Sequence, residues 1–89
     1  MWYLYMVRCA DTALYTGIAT DVARRFGQHQ EGKGAKYLRG KGPLQLVFAV
    51  EAGSRAQASR KEAKLKRLDR CDKEAIAQGR KSLADMGVM

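Results

Sequence analysis

The stretch that most constrains the fold is Trp2 to Arg8, WYLYMVR, in which every position before the arginine is apolar or aromatic. Side chains alternate along a strand, so Trp2, Leu4 and Met6 would point one way and Tyr3, Tyr5 and Val7 the other. A strand apolar on both faces belongs in the middle of a sheet, with cover on each side. Within 89 residues that cover has to come from a few short helices, and the chain, residues 1–89, is expected to form a single domain.

The remaining elements follow in order. A polar turn around Asp11 and Thr12 leads to a second strand, Leu14 to Ile18, which makes a hairpin with the first. Thr20 is the expected N-cap of a helix running from Asp21 to about Gln30, with Asp21 complementing the helix dipole. Gly32 to Gly42, GKGAKYLRGKG, reads as a flexible basic connector with room for a single helical turn. PLQLVFAVE, from Pro43, is a third strand. Ser54 caps a helix expected to reach about Arg70. Asp72 to Gln78 gives a last short helix, stopped at Gly79 and followed by a weak, frayed tail. The order β-β-α-β-α-α is that of an α+β fold, a small three-stranded antiparallel sheet flanked by helices.

Charge narrows the partners. Lys and Arg number 17 against 9 for Asp and Glu, a formal charge of +8, which favours a polyanion such as nucleic acid. No stretch approaches the roughly 18 apolar residues of a membrane-spanning helix. With no secretory pattern at the N-terminus and two widely separated cysteines, Cys9 and Cys71, the chain is expected to be soluble and cytoplasmic, with no membrane partner.

Within this frame the segment Tyr15 to His29, YTGIATDVARRFGQH, concentrates chemistry. On the helix Val22 and Phe26 mark the apolar stripe, His29 falls between them, and Arg25 lies to its side. Arg25 and His29, one turn apart, can share a ligand. Gly17, two residues after Tyr15 on the same strand face, removes a side chain and lets something approach. The hairpin loop decides whether a site forms. A loop of two or four residues sets Tyr5 and Tyr15 on opposite faces, whereas an odd loop, for example Asp11 to Ala13, puts both phenols and Gly17 on one face. Cations for a phosphate, with a phenol or imidazole to take a proton from water, are the parts of a phosphodiester site. Such hydrolysis usually calls for a divalent metal and a carboxylate to hold it. Glu62, bordering the apolar stripe of the long helix, and Glu51, at the end of the third strand, are the candidates. Arg24, Lys33, Lys36, Arg39, Lys41, Arg60 and Lys64 offer an electrostatic path for a nucleic-acid backbone.

These residues resemble the GIY-YIG nuclease superfamily, in particular its small single-domain bacterial branch, over residues 2 to 70. Tyr3-Leu4-Tyr5 looks like the first motif and Tyr15-Thr16-Gly17 like the second, and the spacing to Arg25, His29 and Glu62 is similar. The resemblance implies metal-dependent hydrolysis of phosphodiester bonds in DNA, more than RNA, at low specificity, in repair or degradation. It implies that Tyr5 and Tyr15 line the site with one as general base, that Arg25 holds the phosphate, and that His29 assists. Glu62 would carry one Mg²⁺ or Mn²⁺. The first motif has Tyr3 where the family has glycine, and the chain contains no asparagine, which several relatives use downstream of the glutamate. The alternative is therefore a non-catalytic basic nucleic-acid-binding module with a decayed site. A protein partner could supply target specificity.

Overall fold

The structure is a computed structural model describing residues 1–89. Its elements are β1 (Trp2–Arg8), β2 (Leu14–Ala19), α1 (Val22–Gln30), a single 3-10 turn at Lys36–Leu38, β3 (Gln45–Gly53), α2 (Arg55–Arg67) and α3 (Arg70–Ala77). The sheet is antiparallel in the order β2-β1-β3, so the strand that is apolar on both faces is the central one. The fold is the α+β arrangement that the sequence predicts.

The hairpin loop has an odd length. Cys9 N–H donates to the Ala13 carbonyl at 2.9 Å, leaving Ala10, Asp11 and Thr12 as a three-residue loop with Thr12 in the left-handed region at φ 71°. An Asp11 side-chain oxygen accepts from Ala13 N–H and steadies the turn. The loop lies one residue earlier than Asp11 to Ala13 but has the same parity. Val7 stands opposite Tyr15 and Tyr5 opposite Gly17. Both tyrosines and the glycine therefore share one face.

The other face carries the larger core. Leu4 and Met6 pack with Ala52, Ala58, Leu65, Ile76, Leu83 and Val88. Burying each large side chain contributes about 1.5–3 kcal/mol relative to exposure. On the Tyr5 face a smaller cluster joins Tyr5, Val7 and Ala19 to Tyr15, Val22, Phe26 and Leu44. The sheet is covered by α2, α3 and the tail on one side and by α1 and the 32–42 loop on the other.

Several boundaries differ from the sequence reading. Asp21, not Thr20, caps α1: its carboxylate accepts from Arg24 N–H at 3.0 Å and also faces the positive end of the helix dipole. Helix α2 begins at Ser54 with a reciprocal capping box to Gln57, as its sequence suggests, but ends at Arg67. The Asp69 carboxylate accepts from Asp72 N–H at 2.8 Å, and this competing cap starts α3 at Arg70 instead of Asp72. Pro43, which has no N–H to give, lies outside β3, and Leu44 turns into the smaller cluster. The tail is not frayed. Leu83 and Val88 are 4% and 3% exposed within the main core, and Ser82 and Asp85 exchange hydrogen bonds. Two apolar anchors without helical or strand periodicity leave little sequence signal.

A bidentate ion pair fixes α3 to the sheet: the two terminal Arg8 guanidinium nitrogens donate to Glu74 at 2.6 Å. No helix is long and apolar enough to cross a membrane.

Candidate active site

Tyr5 is the centre of the site. Its ring crosses directly over Gly17, where a Cβ would stand 2.6 Å from the phenol oxygen. The clearance that glycine provides is therefore filled by this chain's own tyrosine, not by an outside ligand. Tyr5 Oη lies 2.7 Å from His29 Nε2, and both residues are almost wholly buried. The other ring nitrogen, Nδ1, accepts from Ala35 N–H at 3.1 Å. Because Nδ1 is occupied as an acceptor, the neutral ring carries its proton on Nε2 and donates to the phenol oxygen. Burial first, and then the Arg25 charge, lower the His29 pKa and keep the ring neutral.

The imidazole is held from behind by the basic loop. Gly34 packs against it so closely that a Cβ there would overlap Nδ1. The 32–42 segment is thus more than a flexible connector: its glycine and the next backbone N–H set the tautomer and orientation of His29. Neither Gly34 nor Ala35 stands out in the sequence as a site residue. The density of glycine was visible, but not what it packs against.

Tyr15 sits beside this pair, edge-on to the His29 ring at 5.5 Å between centroids. Its other neighbour is Tyr37, near-parallel at 6.1 Å and 20°. Lys41 Nζ lies 4.4 Å from the centre of the Tyr37 ring and 3.4 Å from the Asp11 carboxylate. Tyr37, which sits in the glycine-rich basic loop, thus belongs to the same aromatic layer.

Arg25 is partly buried and donates to Gln28 at 3.0 Å. With Arg24, Gln28 and the β2–α1 junction it lines a cleft of about 360 Å³. Glu62, with a side chain 23% exposed, is paired with Lys66 at 3.5 Å along α2. The acidity of Tyr5 registers all of these neighbours. Burial raises its pKa most and the Tyr15 phenol adds to the rise; Arg25 opposes it and Glu62 raises it further, leaving it pushed up to about 12. Contacts tie Tyr5 to His29 and His29 to Tyr15, whereas Arg25 and Glu62 bear on the phenol through their charge. Glu51, the other carboxylate candidate, is exposed near the end of β3.

The other basic residues lie on the surface. Arg24, Lys33, Lys36, Arg39, Arg60 and Lys64 are exposed. Of these only Lys33 forms an ion pair, with Glu31 at 3.6 Å. No group of three His, Cys, Asp or Glu side chains is placed to enclose a metal.

A family model for the GIY-YIG catalytic domain matches residues 1–75, a segment containing Tyr5, Tyr15, Arg25, His29 and Glu62. The chain belongs to the GIY-YIG family. It is 60% identical to a UPF0213 protein of Cronobacter sakazakii over 78 residues, covering 88% of this chain and 82% of that one. Identity to the UPF0213 protein YhbQ of Salmonella typhimurium is 57% over 81 residues, covering 91% and 81%. A solved structure, that of a UPF0213 protein from Bacillus halodurans, superposes with a TM-score of 0.57 at 40% identity, covering 98% of this chain and 94% of that one. The GIY-YIG domain is a nuclease domain, and its substrate class is nucleic acid.

Proposed function

We propose that the chain hydrolyses phosphodiester bonds in nucleic acid, DNA in preference to RNA, with low sequence specificity and a divalent metal held at Glu62. The observation that carries this reading is the buried Tyr5 phenol, held at 2.7 Å by His29, which Tyr15 packs edge-on. Arg25 holds a non-bridging oxygen of the phosphate. The phenolate form of Tyr5, its own proton released to solvent, takes the proton of the attacking water, and the His29 Nε2–H and the Arg25 guanidinium stabilise that form against the burial that raises its pKa. As water attacks phosphorus, the bond to the leaving oxygen breaks and its charge develops beside the guanidinium. Tyr15 packs His29 in place and lies nearer solvent than Tyr5.

The donor set suits a hard cation that keeps most of its own water. No cluster of three acidic, His or Cys side chains is present, and Mg²⁺ or Mn²⁺ bound through the Glu62 carboxylate, water and phosphate oxygens matches that supply. Such an ion lowers the pKa of water or stabilises the leaving oxygen. Lys66 would give up its exposed contact with Glu62.

The setting that suits two free cysteines is the reducing cytoplasm, and the role we assign is repair or degradation of DNA, with a protein partner supplying any target preference. Incubation with labelled single-stranded, duplex and branched DNA in Mn²⁺ tests the reading. Product is expected from the wild-type chain and not from Glu62→Ala or Arg25→Ala; cleavage surviving in both variants refutes the assignment. The Lys66 to Glu62 ion pair favours the second reading, a binding module without catalysis. In that case binding is salt-sensitive, indifferent to EDTA, and yields no product at any metal concentration.

A further inference from the structure

Tyr37 is the one aromatic side chain among the exposed large hydrophobic residues, at 48% exposure. An aromatic ring left half in water on a loop is not explained by core packing. Nor does it move freely, because its ring lies near-parallel to Tyr15, which in turn packs edge-on against His29. Lys41 Nζ sits over the ring, and its only other partner is an exposed carboxylate, so both of its contacts are weak and exchangeable. Lys36 and Arg39, on either side in sequence, are exposed and form no ion pair. A pre-oriented aromatic face among unpaired cations is the construction that receives a nucleobase together with its phosphates.

We propose that Tyr37, with Lys41 beside it, is a stacking subsite for an unpaired nucleobase flanking the reacting phosphate, so that the site takes single-stranded nucleic acid, or the unpaired part of a junction, over plain duplex. The proposal rests on the nuclease reading above and names the substrate form for that same site. A base inside a duplex has both faces covered by its neighbours, and only an unpaired base has one to offer the ring. On binding, Lys41 leaves the ring for the adjacent phosphate.

Fluorescence anisotropy in EDTA, with short labelled single-stranded DNA, single-stranded RNA and blunt duplex DNA, tests this without cleavage. Tyr37→Ala should weaken single-strand binding roughly 5- to 100-fold, with a much smaller change for duplex. Tyr37→Leu keeps apolar bulk against Tyr15 but has no aromatic face, and should lose as much as the alanine variant. Tyr37→Phe and Tyr37→Trp should bind as the wild type does, since the ring is used and the hydroxyl is not. Whichever oligonucleotide shows this pattern identifies the sugar the site accepts. The proposal is overturned if Tyr37→Leu binds like the wild type, if Tyr37→Phe loses as much as Tyr37→Ala, if single strand and duplex weaken equally, or if the wild type does not prefer a single strand. A chain that binds in the expected pattern yet cuts nothing in Mn²⁺ keeps the subsite and loses the nuclease reading. One that cuts while Tyr37→Leu binds normally does the reverse.

Discussion

The two faces of β1 are equally dry and differently used. Leu4 and Met6 are fully buried on one face, and so are Val7 and, to within 1%, Tyr5 on the other. The Leu4 face meets side chains from α2, α3, β3 and the tail, and it is mostly aliphatic. On the Tyr5 face the buried groups include a phenol and an imidazole that hydrogen-bond to each other. Burial on the first side excludes water from hydrocarbon and stabilises the fold. On the second it changes acid–base behaviour, raising Tyr5 and lowering His29. One strand thus separates stability from chemistry by the parity of its residues.

The largest effect that would test this division is on activity. Tyr5→Phe removes only the proton-handling oxygen, and turnover should fall roughly 10²- to 10⁴-fold in the cleavage assay. Its cost in stability should be about 1–3 kcal/mol, because the buried His29 N–H is left without an acceptor. Met6→Ala on the opposite face should reverse the pattern: about 2–5 kcal/mol lost in urea unfolding, with near-normal turnover per folded molecule. If Tyr5→Phe unfolds the protein, or folded Met6→Ala is inactive, the faces are not separable in this way.

The sequence displayed the division in part. The two apolar faces of WYLYMVR identify the central strand, and an odd loop is the condition for bringing Tyr5 and Tyr15 together, but composition does not choose the loop. Thr12 adopts a left-handed conformation with no glycine to announce it. Arg25 and His29 were legible because one lies beside and the other within an apolar stripe, where a surface helix rarely puts them. Caps were less legible where two candidates compete, as at Thr20 with Asp21 and at Asp69 with Asp72. The parts of the site that came from long-range packing were not legible. Gly17 showed that space was needed but not that Tyr5 fills it, and Gly34 and Tyr37 lay in a loop with no periodicity to interpret.

Gly34 therefore provides a sharper test of the Tyr5 face. Adding one methyl group in Gly34→Ala forces it against the imidazole and should cost about 1–3 kcal/mol. It should also reduce turnover, because the ring that orients Tyr5 is displaced. At Gly27, inside α1 where an added Cβ meets nothing, the same change should stabilise by up to about 1 kcal/mol and leave turnover unchanged. Equal behaviour of the two variants would mean that the loop does not position His29.

The smallest effect expected is a pH dependence that belongs to the Tyr5 face alone. His29 has a folded pKa below its usual 6.5, so above that value both folded and unfolded chains hold a neutral ring and its contribution to stability is complete. As pH falls through 6.5, the unfolded chain binds a proton that the buried ring refuses. Stability should then decline until the pH reaches the lowered folded value, below which this group contributes no further slope. Tyr5 cannot produce this slope, because its pKa lies near 12, and Glu74, lowered from 4.5 by Arg8, titrates at more acid pH. Urea midpoints measured at intervals below pH 7 should therefore fall first through His29, and His29→Gln, which has no proton to bind there, should remove that part of the slope. A slope that persists in the glutamine variant would place the responsible group elsewhere, and the Tyr5 face would lose its claim to an independent titration.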